Sequence, residues 1–276
     1  MNNQCYRFQK INFKKGLLDD CIDATYILHL ENNGRMEAIM SQLEHYQPSK
    51  ILYIVFNKGY KNCNKEEFIN APALDLIDGF LKIFKHANEN QYENILILED
   101  DFIFHKDIKN KNVQKDVCDF VNQRKQTSFQ YALGCTPTLL YPYTLNSKHY
   151  FAIIGFAMHA CINSKKHRIE ILNIPQHKLY DWDFHSFLSM NKFCYYKPLC
   201  YQLFPETENN KTWGDNNIII YYLVLFTIKQ FIKVIKLDTR PEPGYSIIYT
   251  SSKILSFVLF IFLIYLILAS LFYFIK

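Results

Sequence analysis

Apolar positions in the first hundred residues fall into short runs that alternate with spaced stripes. The run "DATYILHL" (23 to 30) predicts a strand, and the "GRMEAIMSQLEHY" after it sets Met36, Ile39, Met40 and Leu43 at helical spacing. "KILYIVFN" (50 to 57) predicts a second strand. "NAPALDLIDGFLKIFKHANENQ" then predicts a helix, with Asn70 as a cap, Pro72 in the first turn, and Leu74, Ile77, Leu81 and Phe84 on one face. In "YENILILEDDFIF" (92 to 104), Ile95 to Leu98 are apolar without alternation, as in strands buried on both faces. This alternation of strand and helix predicts an α/β domain, a parallel sheet with helices on its faces.

Residues 105 to 127 are polar with a stripe of Val113, Val117, Phe120 and Val121, which predicts a surface helix. "FQYALGC" (129 to 135) and "YFAIIGFAMHACI" (150 to 162) predict strands, and the "TPTLLYPYTLNSKH" between them a loop over a site. "SKKHRIEILN" predicts a short helix. Residues 218 to 228 are apolar and then gain Lys229, Lys233 and Lys236 at helical spacing, which suits a segment lying on a membrane surface or a last amphipathic helix packed on the domain, and suits a second span less well because the three lysines cut it short. Residues 254 to 275 form an uncharged apolar run of 22 residues bracketed by Lys253 and Lys276. As a helix it is roughly 33 Å long, enough for a ~30 Å hydrocarbon core. The expected organisation is a domain over 1–217, a juxtamembrane segment over 218–253 and a transmembrane helix over 254–275.

Composition narrows this picture. The net charge of +5 is scattered, with no basic block of the kind that binds nucleic acid, so no nucleic-acid partner is expected. The eight cysteines show neither a CxxC pair nor zinc-type Cys/His spacing, and free buried thiols are the expectation. The start, "MNNQCYRFQK", holds no apolar signal core. Together these features lead us to expect a single-pass, C-terminally anchored protein with its body in the cytosol.

The chemistry concentrates where the third strand ends, in Glu99, Asp100 and Asp101. Adjacent carboxylates repel and raise one another's pKa, so a cation would compensate them. Were the strand to continue, Glu99 and Asp101 would share a side and Asp100 would face away. Hard oxygen donors at a strand tip suit Mn²⁺ or Mg²⁺, and a divalent ion suits a diphosphate leaving group, as in a nucleotide-sugar donor. A solvated acidic turn is the plainer alternative. Farther on, His185 is a candidate metal ligand. Gln202, Thr207, Asn209 and Asn210 are candidates for sugar hydroxyls, with Tyr195, Tyr196, Tyr201 and Trp213 as aromatic platforms.

The string "NILILEDDF", the helix "DLIDGFLKIFKHANE" before it and the early "YILHLENNGR" together resemble glycosyltransferase family 25 and its relatives among giant-virus and bacterial sugar transferases. The resemblance covers about residues 24 to 213 and implies a GT-A fold, a Rossmann-like α/β domain. It also implies an acidic triplet holding the metal and a nucleotide sugar, usually UDP-linked, with Asp101 first and Glu99 or Asp100 second on Mn²⁺. Arg35 aligns with a family arginine and would take a diphosphate role. Asp181, Trp182 and Asp183 match a downstream "vDw" element in which an acid addresses the acceptor, and Pro198 to Gln202 resembles a late "P-l-x-x-Q" stretch. Asp181 or Asp183 would then be the base for an inverting transfer to a glycan, lipid or protein acceptor. Two other classes stay open: a catalytically inactive, membrane-tethered binding module, and a metal-dependent nucleotidyltransferase or phosphodiesterase, though no glycine-rich phosphate loop is present.

Overall fold

The structure is a computed structural model that describes residues 5–182, 191–204 and 230–275. Strands β1 (Tyr6–Asn12), β2 (Ala24–Leu30), β3 (Ile51–Asn57), β4 (Asn94–Glu99), β6 (Gln130–Pro142), β7 (His149–Ser164) and β8 (Lys192–Tyr195) form one sheet in the order β1-β3-β2-β4-β7-β6-β8. Strands β2, β3 and β4 are parallel, whereas β1 and β7 pair antiparallel to their neighbours. The protein is therefore a mixed α/β domain with a parallel centre. A short ribbon of β5 (Phe102–Phe104) and β9 (Cys200–Gln202) lies beyond the end of β4.

Helices α1 (Met36–His45) and α3 (Lys111–Gln123) cover one face, where Ile39, Leu43, Val117 and Val121 pack on Ile27, Ile54, Leu96 and Leu98. Helices α2 (Pro72–Glu89) and α4 (Lys165–Leu172) cover the other, over Tyr26, Leu28, Val55, Ile95 and Ile97. Strand β4 thus feeds both layers, which explains its unbroken apolar run. The crossovers leave the carboxyl ends of β2, β3 and β4 at one edge, where ligands of such sheets bind.

Three expectations need correction. The stretch between residues 135 and 150 is mostly strand, since β6 runs on to Pro142 and β7 begins at His149. Pro137 is accommodated because the β6–β7 ladder shifts register beside it, and such irregularities are where a sheet tolerates proline. Four of the eight cysteines are paired, Cys5 with Cys63 and Cys21 with Cys118, while Cys135, Cys161, Cys194 and Cys200 are buried thiols outside any disulfide. Disulfides persist in oxidising compartments, so the thiol argument for a cytosolic body falls.

The third correction concerns the last helix, α5 (Gly244–Ile275), which starts ten residues before the apolar run. Its first turns belong to the domain: Tyr245 and Tyr249 are buried with Ala132, Cys135, Tyr201 and Leu237. Ser252 Oγ donates to Pro137 O (2.5 Å), and Leu140 N donates to Ser256 Oγ (2.8 Å). Beyond Ser256 the helix stands clear. Its most apolar window has a mean hydropathy of 2.9 and is only 6% buried, so it is not a core helix, and it is long and apolar enough to cross a membrane.

Candidate functional site

The turn that follows β4 carries the acids, and the loop between β2 and α1 answers it. The "ENNGR" loop is shaped by two residues with positive φ, Asn32 at 65° and Gly34 at 77°, a conformation open to glycine and tolerated by asparagine. Asn33 Oδ1 accepts from Arg35 N (3.0 Å), an Asx turn that fixes the entry to α1. The loop is thereby folded over the end of β4.

Asp100 is the centre of this arrangement. It accepts from Leu30 N (3.1 Å), Asn33 Nδ2 (2.5 Å) and Arg35 Nη1 (2.5 Å), and it bonds His29 Nδ1 (3.2 Å). Burial alone would raise its pKa, but the His29 hydrogen bond, the Arg35 charge and the Leu30 amide outweigh burial and hold it below the ordinary value. Asp100 is a buried, satisfied carboxylate that ties the β2–α1 loop to the sheet.

Asp101 differs. Arg35 Nη1 also reaches its Oδ2 (3.2 Å), and Gln202 Nε2 donates to that same oxygen (3.0 Å). Burial raises the Asp101 pKa, more than Arg35 and Gln202 lower it. Its other oxygen, Oδ1, is buried and has no hydrogen-bond partner among the described residues, and neither has Gln202 Oε1. Two joined side chains therefore each present an unsatisfied oxygen, a costly state unless a ligand compensates it. Gln202 is held by the last helix: Tyr245 Oη accepts from Gln202 N (3.0 Å) and donates to Gln202 O (3.1 Å).

The structure thus brings Arg35, Asp100 and Asp101 together, with Gln202 added. The pairing differs from the one that strand alternation predicts, because β4 stops at Glu99 and the chain turns, so that Asp100 and Asp101 share one guanidinium. Glu99 is adjacent at the strand end, level with Leu28 of β2, and its charge adds to the field on Arg35. Three carboxylates against one guanidinium leave an excess of two negative charges when all are ionised, which matches a divalent cation. Among the described residues no three His, Cys, Asp or Glu side chains converge as a metal cluster. The available set is one carboxylate and one amide oxygen, hard donors of the type that Mg²⁺ and Mn²⁺ take alongside phosphate oxygens and water.

Asp181 is partly exposed and precedes Trp182, whose ring is buried on α2 at 4.8 Å from Phe80 and 5.9 Å from Phe84. Trp182 is core. Asp183 and His185 lie outside the described residues, as do Thr207, Asn209, Asn210 and Trp213. Sequence reasoning missed His29 and Asn33 as partners of Asp100, and Tyr245 as the brace of Gln202; an unusual polar "HLENN" closing an apolar strand was the only signal for the first two.

No protein-family model matches the chain, and no curated protein matches it.

Proposed function

We propose that the protein is a metal-dependent glycosyltransferase of GT-A type, akin to family 25, that moves a sugar from a nucleotide donor, UDP-linked by preference, to a glycan, lipid or protein acceptor. The observation that carries this reading is the pair of unsatisfied buried oxygens, Asp101 Oδ1 and Gln202 Oε1, at the carboxyl edge of a parallel sheet beside a half-buried arginine. The carboxyl edge of an open α/β sheet is where such folds take their ligands, and the doubled negative charge suits a cation.

Asp101 and Gln202 would hold Mn²⁺ or Mg²⁺. Such an ion, when bound, neutralises the charge that develops on a departing nucleoside diphosphate. Arg35 is locked by Asp100 and the Asx turn, so its guanidinium is preorganised and costs little side-chain entropy when it meets a phosphate oxygen. Glu99 adds negative charge at the same edge. The acceptor's proton would go to Asp181 or Asp183, and a base of that kind contributes on the order of 10²-fold or more.

One observation favours the inactive module instead. Arg35 already bridges Asp100 and Asp101, so part of the acidic charge is neutralised internally. Nucleotide release separates the two readings. The full chain in detergent is incubated with a panel of nucleotide sugars, with Mn²⁺ or with EDTA, and Asp101→Ala serves as the control. Metal-dependent release from one donor, lost in Asp101→Ala, is the expected result. Absence of metal-dependent binding to every donor on the same samples would leave the binding module.

A further inference from the structure

The β6–β7 hairpin is fastened to α5 at the level where the apolar run begins. Leu140 N bonds Ser256 Oγ (2.8 Å), and Ser256 lies two residues inside the run that starts at Ile254. On the other hairpin arm, Lys253 Nζ sits 5.1 Å from the Tyr150 ring centroid. Lys253 Nζ also donates to Tyr196 O (2.5 Å), and Tyr196 N donates to Lys148 O (2.8 Å). Three separate contacts thus place the end of the hairpin beside residues 253–256 of the helix.

If α5 spans a bilayer, the backbone of Leu140 lies at the boundary of the hydrocarbon. The side chains at that end suit such a depth. Leu145 at the tip is 93% exposed, Tyr143 is exposed, and Tyr141 and Tyr150 are partly so. Thr144, Asn146, Ser147 and Lys148 accompany them, and aromatic rings mixed with lysine are the composition of membrane interfaces. The tip is also braced by contacts with α3. The Tyr143 ring meets Phe120 edge-on (5.3 Å) under the Arg124 guanidinium (4.5 Å), and Lys148 pairs with Asp116 (2.8 Å). A bare leucine on a braced turn pays little ordering entropy when it is buried.

We propose that the end of the β6–β7 hairpin, residues 139 to 150, is a second membrane contact, with Leu145 in the lipid interface. The occupant is lipid because the surface is continuous with the helix through Ser256, Lys253 and Tyr196. The proposal rests on the reading of α5 as a membrane span. Two points of contact, a helix and a hairpin bonded to it, fix the tilt of the domain and hold the acidic edge at a set height over the bilayer.

The test uses the full chain in vesicles of phosphatidylcholine and phosphatidylglycerol, with an environment-sensitive fluorophore on one introduced cysteine at a time: Leu145→Cys, Leu263→Cys in the apolar run, and Glu89→Cys at the exposed end of α2. Any label taken up by the native cysteines is subtracted using the parent chain treated in the same way. The expected result is quenching of the Leu145 probe by doxyl lipid several-fold above that of Glu89, with protection from aqueous iodide. Iodide access at Leu145 equal to that at Glu89, with Leu263 quenched by lipid, would overturn the hairpin contact and leave the anchor. Water exposure at both Leu145 and Leu263 would overturn the anchor with it. Protection from iodide without lipid quenching would show a contact between copies of the chain and refute the lipid.

Discussion

Two neighbouring aspartates at the end of β4 carry the same charge and do different work. Asp100 has four partners, so removing it strands Arg35, His29 and Asn33 around a buried space. Asp100→Ala should lower stability by about 3 kcal/mol, because breaking a buried ion pair leaves its partner uncompensated. Chemical denaturation of the full chain in detergent measures it. The pH dependences of the two aspartates have opposite signs. Asp100 has a depressed folded pKa, so its contribution is complete above the ordinary aspartate value of about 3.9 and is lost as the pH falls through the lower folded value. Asp101 has a raised folded pKa, so ionising it costs stability as the pH rises through that value, and a cation relieves the cost. Mn²⁺ and the proton compete for Asp101, so thermal stabilisation by Mn²⁺ should fade on acidification, and Asp101→Asn should abolish it. Gly34, at a φ of 77°, carries a further test: Gly34→Val should cost about 1–2 kcal/mol and displace Arg35, weakening donor binding more than it weakens the fold. The three acids could be found from sequence because they are contiguous. Their inequality could not, since it depends on His29, Arg35 and Gln202, which lie 65 to 101 residues away along the chain.

The central elements were readable because burial on both faces writes a distinctive pattern. Strands β2, β3 and β4 and helices α1 and α2 follow the apolar runs and stripes to within a few residues. Strand β1 went unread, because "YRFQKIN" is an antiparallel edge strand whose residues are mostly exposed or half-buried. The outer part of the β6–β7 hairpin, residues 136 to 149, was read as a loop on account of its prolines and polar residues, and the tolerance of those prolines depends on a register shift that only the paired strand reveals. The disulfides join cysteines 58 and 97 residues apart, and no spacing rule connects them. Cys21–Cys118 clips the segment before β2 to α3, so the double variant Cys21→Ser/Cys118→Ser should lose about 2–4 kcal/mol. Comparison of thermal melts with and without reductant checks it: a melting point indifferent to reduction would count against the pair. Ser256→Ala should cost about 1–2 kcal/mol in the same assay, because it leaves the buried Leu140 amide without an acceptor.

At the scale of the molecule, the acidic edge and the last helix are one structure. Gln202 is bonded to Asp101 through its side chain and to Tyr245 through its backbone, and Tyr245 is in the first turn of α5. Ile254 lies nine positions after Tyr245, about 14 Å along a helix. The acidic edge is therefore joined to the apolar stretch of α5 through a short, packed segment rather than a flexible linker, and α5 cannot be cut before Ser256 without removing buried contacts of the domain. A divalent-cation site formed by Asp101 and Gln202 is tested by Mn²⁺ binding, followed by electron paramagnetic resonance on the full chain in detergent, with and without UDP. The expected result is bound Mn²⁺ that UDP tightens, that Gln202→Leu weakens and that Asp101→Asn abolishes while the fold survives. Binding of the same strength in Asp101→Asn would contradict it.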